Sequence, residues 1–122
     1  MFKLFISFYL ILISVSGCSF VDTDHDGLPP KFDGPYVSVY GRVSCGVTKR
    51  MMKDLDSAGV TYRYFSVDDK ESADDLHARM KASGISTRQY NLPVVDVGGD
   101  ISVRPKSKEV LKNMRYRNNQ QQ

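Results

Sequence analysis

The chain has 122 residues, with 17 Lys and Arg against 14 Asp and Glu, a formal net charge of +3, two cysteines and no tryptophan. This length holds one compact domain, and 25% charged with 41% apolar residues excludes a disordered or collagen-like chain. So slight a basic excess makes no electrostatic case for a nucleic-acid partner.

In chain order, the first feature is the apolar run Phe2 to Val15, broken only by Lys3 and two serines. A membrane-spanning helix needs roughly 17–25 apolar residues, and this run stops short at small residues followed by polar sequence. A processed targeting segment fits that pattern, with an uncleaved short anchor as the alternative. Val15-Ser16-Gly17-Cys18 resembles the lipobox of bacterial lipoprotein signal peptides, an aliphatic residue and two small ones before the cysteine. The resemblance implies cleavage after residue 17 and palmitate-type acylation of Cys18. Several buried acyl chains, at about 0.8 kcal/mol per CH2, then hold the protein on a membrane of the cell envelope, facing the periplasm. Ser19 after the cysteine implies outer-membrane sorting in a Gram-negative host. Losing residues 1–17 removes Lys3 and no acid, leaving 16 basic residues against 14 acidic ones.

Residues 18–35 are rich in Asp, Gly and Pro, lack periodicity and read as an acidic linker. Within them Asp22, Asp24, Asp26, Gly27 and Asp33 have the spacing of a calcium loop, alternate carboxylates around a turn that glycine permits. The loop resembles those of EF-hand and thrombospondin type 3 repeats. Asp33 in place of Glu, the stiffening Pro29 and Pro30 and the lack of flanking amphipathic helices favour a solvated acidic tether over a calcium site.

From Tyr36 the pattern changes. Val37 to Tyr40 alternates as a strand ended by Gly41. Cys45 to Ala58 carries Val47, Met51, Met52, Leu55 and Ala58 at helical spacing, and Gly59 stops it. Tyr62 to Val67 is a second strand. Ser72 to Ser83 is a helix with acids early and bases late, and Gly84 ends it. Leu92 to Val97 enters a strand through Pro93, turns at Gly98-Gly99 and returns along Ile101 to Val103. Ser107 to Arg117 is a basic helix, and residues 118–122 are a fraying tail.

The order β-α-β-α-β-β-α, with a right-handed crossover between the first two strands and a hairpin at the end, predicts a four-stranded mixed sheet with helices on both faces. This is an α/β, thioredoxin-like arrangement over residues 36–117.

Cys45 is the one thiol left once Cys18 is acylated. At a helix start, unpaired amides and the positive end of the dipole favour the thiolate, and Arg42 and Lys49 bring charge nearby. The segment Arg42-Val43-Ser44-Cys45-Gly46-Val47-Thr48 resembles the active site of glutaredoxins, with Cys45-Gly46-Val47-Thr48 close to the Cys-Gly-Phe-Ser of the monothiol type. The resemblance implies a nucleophilic Cys45, a basic Arg42 three residues before it, and Thr48 in the place of a second cysteine. It also implies a cis bond at Leu92-Pro93, with the Leu92 backbone meeting the substrate.

The implied activity is thiol–disulfide exchange through a mixed disulfide with a disulfide-bonded or glutathionylated protein, with no bound cofactor and glutathione as a candidate reductant. The family's Gly-Gly-x-Asp after the hairpin is replaced by Ser102-Val103-Arg104-Pro105, so Arg104 or Lys106 is left to meet a substrate anion. The alternative is a non-catalytic thioredoxin-fold module that binds a partner in the envelope.

Overall fold

The computed structural model describes residues 28–122. The targeting run, Cys18 and the loop positions Asp22, Asp24 and Asp26 lie outside the described residues. Seven elements follow in order: β1 (Val37–Gly41), α1 (Gly46–Ser57), β2 (Arg63–Ser66), α2 (Lys70–Ala82), β3 (Val94–Val97), β4 (Asp100–Val103) and α3 (Ser107–Gln120). They form a four-stranded sheet of order β2-β1-β3-β4. β1 pairs parallel with β2 through the helical crossover, β3 pairs antiparallel with β4 across the tight turn, and β1 also pairs antiparallel with β3.

The central strands β1 and β3 are buried along their whole length, and their alternation sends side chains to two cores. Val37, Val39, Val95 and Val97 meet Met51 and Leu55 of α1 and Val110 of α3. On the opposite face Tyr40 and Val94 meet Leu76 and Met80 of α2. Helices therefore cover both faces, each through its apolar stripe. Among the described residues, no helix is long and apolar enough to cross a membrane.

Two helix ends and one helix face differ from the sequence reading. α2 begins two residues earlier than expected, because Asp69 caps it by accepting from the Ser72 amide at 3.1 Å. In α1 the buried stripe is Thr48, Met51 and Leu55, so Val47 points outward and is 39% exposed. α3 continues to Gln120 where an end at Arg117 and a fraying tail were expected; Asn118, Asn119 and Gln120 contain no proline or glycine to break it.

The residues before β1 lie against the domain. Lys31 Nζ pairs with Asp75 at 2.8 Å and sits 4.0 Å above the Phe65 ring, and Phe32 is covered by the Arg63 guanidinium at 3.7 Å. Arg79 donates to the Pro29 carbonyl at 3.0 Å. This strap has no periodicity, so a pattern reading of residues 28–35 sees only a linker.

Candidate functional site

The strand registers bring several loops to one end of the sheet. Gly41 closes β1 opposite Ser66, Tyr40 pairs with Val94, and Val94 pairs with Val103. Hence the segment after β1 with Cys45, the loop after β2 with Asp68, Pro93 before β3 and Arg104 after β4 all lie at that end. The Leu92–Pro93 peptide is cis, as the resemblance implied. Pro93 is buried, Leu92 is half-buried, and the Pro93 carbonyl accepts from the Arg104 amide at 2.7 Å.

Cys45 is a free, half-buried thiol at the N-cap of α1. A turn closed by its amide on the Arg42 carbonyl, at 2.9 Å, delivers it there from β1. Its pKa lies below the ordinary thiol value. The Thr48 hydroxyl is the first cause, the amides of Thr48 and Val47 and the charge of Arg104 add to it, and burial opposes them. Thr48 is fully buried, and its Oγ1 has no hydrogen-bond partner. The hydroxyl proton is thus available to turn toward the sulfur as negative charge develops there.

The other expected site residues divide by position. Arg42 is at the rim, but its Nε is bound to Asp68 at 2.8 Å, with both side chains more than half exposed. Lys49 is exposed one turn along α1, its amide bonded to the Cys45 carbonyl at 3.1 Å. Gly46 is exposed, and a Cβ there would meet nothing, so sterics do not require glycine at that position. Val43, 61% exposed, joins Val47 as apolar surface beside Cys45.

The calcium pattern has one described member. Asp33 is exposed and lines a groove of about 540 Å³ with Phe32, Tyr116 and Arg117, next to the Gly98 turn at the far end of the sheet from Cys45. Among the described residues, no three His, Cys, Asp or Glu side chains converge on a metal position.

Sequence reasoning missed two polar contacts on the α2 face. Asp96 is fully buried in β3 and accepts from Tyr36 Oη at 2.8 Å and from the Gly99 amide at 2.7 Å. Burial pushes its carboxyl above the usual range against those hydrogen bonds and the charges of Arg79 and Arg117. An acid flanked by valines on both sides in a strand was the available signal. His77 of α2 is half-buried with Nε2 2.7 Å from Tyr90 Oη.

No protein-family model matches the chain, and no curated protein does. Among solved structures, it is similar to the crystal structure of a glutaredoxin from Archaeoglobus fulgidus, with a TM-score of 0.50 and 24% identity over 66% of this chain and 85% of that one. At this identity the likeness concerns architecture: the chain has the α/β, thioredoxin-like fold.

Proposed function

We propose that this protein is a thiol–disulfide oxidoreductase of the glutaredoxin kind, acting through the single thiol of Cys45 and held on the cell envelope by acylated Cys18. The observation that carries the reading is Cys45 at the α1 N-cap, with a lowered pKa, at the sheet end that also holds the cis Leu92–Pro93 bond. In the reaction the Cys45 thiolate attacks one sulfur of a disulfide. A new S–S bond forms, the old one breaks, and the departing sulfur leaves as a thiolate that takes a proton from solvent. Thr48 cannot resolve the mixed disulfide, so a thiol from solution, such as glutathione, attacks the partner's sulfur; a new S–S bond forms there, the bond to Cys45 breaks, and Cys45 leaves as the thiolate in its reduced state.

The exposed Val43 and Val47 supply apolar contact for a protein substrate beside the reacting sulfur. The same surface would serve a binding module without catalysis, and Cys45→Ser separates the two. Loss of glutathione-coupled disulfide reduction by the full chain supports the enzyme; unchanged reduction overturns it. Envelope anchoring predicts acyl chains on Cys18, seen as an added mass that Cys18→Ser abolishes. Calcium binding rests on the Asp22, Asp24, Asp26 and Asp33 pattern alone, and calorimetry of the full chain without heat at millimolar calcium rejects it.

A further inference from the structure

Arg104 is the one non-glycine residue with a positive φ among the described residues, at 46°. Such a backbone is unfavourable for any residue carrying a Cβ, and glycine would adopt it without that penalty. The conformation is tied down by the Arg104 amide on the Pro93 carbonyl at 2.7 Å. Strained residues that the surroundings hold in place concentrate at functional sites. Arg104 follows β4 opposite Pro93, at the sheet end where Cys45 lies.

The charges around the sulfur differ in how far they are spent. Arg42 is bound to Asp68, whereas Arg104 is exposed and in no ion pair among the described residues. Its place after β4, with its amide on the Pro93 carbonyl, sets it at the Cys45 end of the sheet, where its charge adds, after the Thr48 hydroxyl and the Thr48 and Val47 amides, to what favours the thiolate. A disulfide or thiol with a carboxylate close to its sulfur meets an uncompensated cation there, and one with an ammonium group meets repulsion.

We propose that Arg104 is a specificity-determining residue of the Cys45 site, held in a left-handed conformation beside Pro93 so that its free guanidinium selects sulfur partners bearing negative charge. The assignment rests on Cys45 being the reacting thiol, as proposed above, and it concerns which partners that thiol prefers.

Competition alkylation tests it directly. The full chain is treated with a mixture of iodoacetate and iodoacetamide, and the tryptic peptide Val43–Lys49, which contains Cys45, is quantified by mass. Both reagents consume the thiolate, so their ratio at one pH is independent of how much thiolate is present and reports the local charge. Arg104→Gly, which suits the positive φ, and Arg104→Gln, which keeps the side-chain length, are each expected to lower the iodoacetate to iodoacetamide ratio by roughly threefold. Arg104→Lys restores most of it, and molar salt shrinks the wild-type preference.

An anionic aromatic disulfide should lose rate on Arg104→Gly while cationic cystamine gains. A ratio equal to wild type in both neutral variants overturns the inference, even if exchange depends wholly on Cys45. Persisting exchange in Cys45→Ser overturns the proposed function and with it the role of Arg104 in partner choice, a result distinct from an unchanged alkylation ratio.

Discussion

A Cβ built on Gly41 would lie 2.5 Å from Thr48 Cγ2 and 2.6 Å from Thr48 Oγ1, so the end of β1 and the first turn of α1 touch without spare room. The contact brings the backbone that leads to Cys45 close against the residue whose hydroxyl most favours its thiolate. Gly41→Ala should therefore cost about 1–3 kcal/mol of stability by overpacking. Thr48→Ala in the same chain should return part of that loss, and a double-mutant cycle by urea unfolding reads the coupling. Additive effects would show that the two residues do not press on each other.

Thr48→Val separates stability from reactivity. The swap removes a buried hydroxyl without a partner and keeps the side chain's shape, so unfolding free energy should stay level or rise by up to about 1 kcal/mol. The thiol pKa should rise, because the leading cause of its depression is gone. At pH 7 alkylation of Cys45 by iodoacetamide should slow by about threefold. Unchanged alkylation would mean that the backbone amides and the nearby arginines set the thiol.

Asp96 gives stability an unusual dependence on pH. Its folded pKa is raised by burial, so between the unfolded and folded values the native state holds more protons than the unfolded chain. Its contribution is largest when the carboxyl is protonated, falls as pH rises from about 4 through the folded pKa, and is flat above it. Asp75 runs the other way: although burial pushes its carboxyl up, Lys31, Tyr40 and Arg79 outweigh that and hold it low. Its contribution is present above the unfolded pKa and is lost as pH falls through the folded one. In Asp96→Asn the fall of stability with rising pH should vanish while the acid-side loss from Asp75 remains, as denaturant midpoints across pH 3–8 on the order of these carboxyl pKa values would show.

The strap before β1 hangs largely on Lys31. Its ammonium pairs with Asp75 with the two side chains only 23% and 27% exposed, and it also lies over Phe65. Lys31→Ala should cost about 1–2 kcal/mol and open residues 28–35 to protease. Equal cleavage in variant and wild type would show that the strap is held by Phe32 and Arg79 instead.

The register of the fold was legible in local pattern. Val37, Val39, Val95 and Val97 alternate as strands must, and the Gly98-Gly99 turn fixes the hairpin, since both glycines carry positive φ values that other residues resist. The site was legible only in part. Cys45 at a helix start and Pro93 before a strand are local features. The binding of Arg42 by Asp68, across 26 residues of sequence, and the reach of Arg104 to the sulfur depend on loops that meet only once the sheet closes. Periodicity also placed Val47 on the inner face of α1, where its apolar side chain scored better than Thr48. Packing against Gly41 drew Thr48 inward instead.

The sequence by itself determined the element order, the two-faced sheet and the place of Cys45 at a helix start, because hydrophobic period, glycine stops and a helix start are properties of neighbouring residues. Tertiary structure alone decided which charges act on that cysteine, that Asp96 is buried against Tyr36, and that the strap of residues 29–34 covers the α2 face. Those outcomes rest on pairs 26 to 60 residues apart. Such contacts form only when strand pairing has already met the chain entropy of bringing them together.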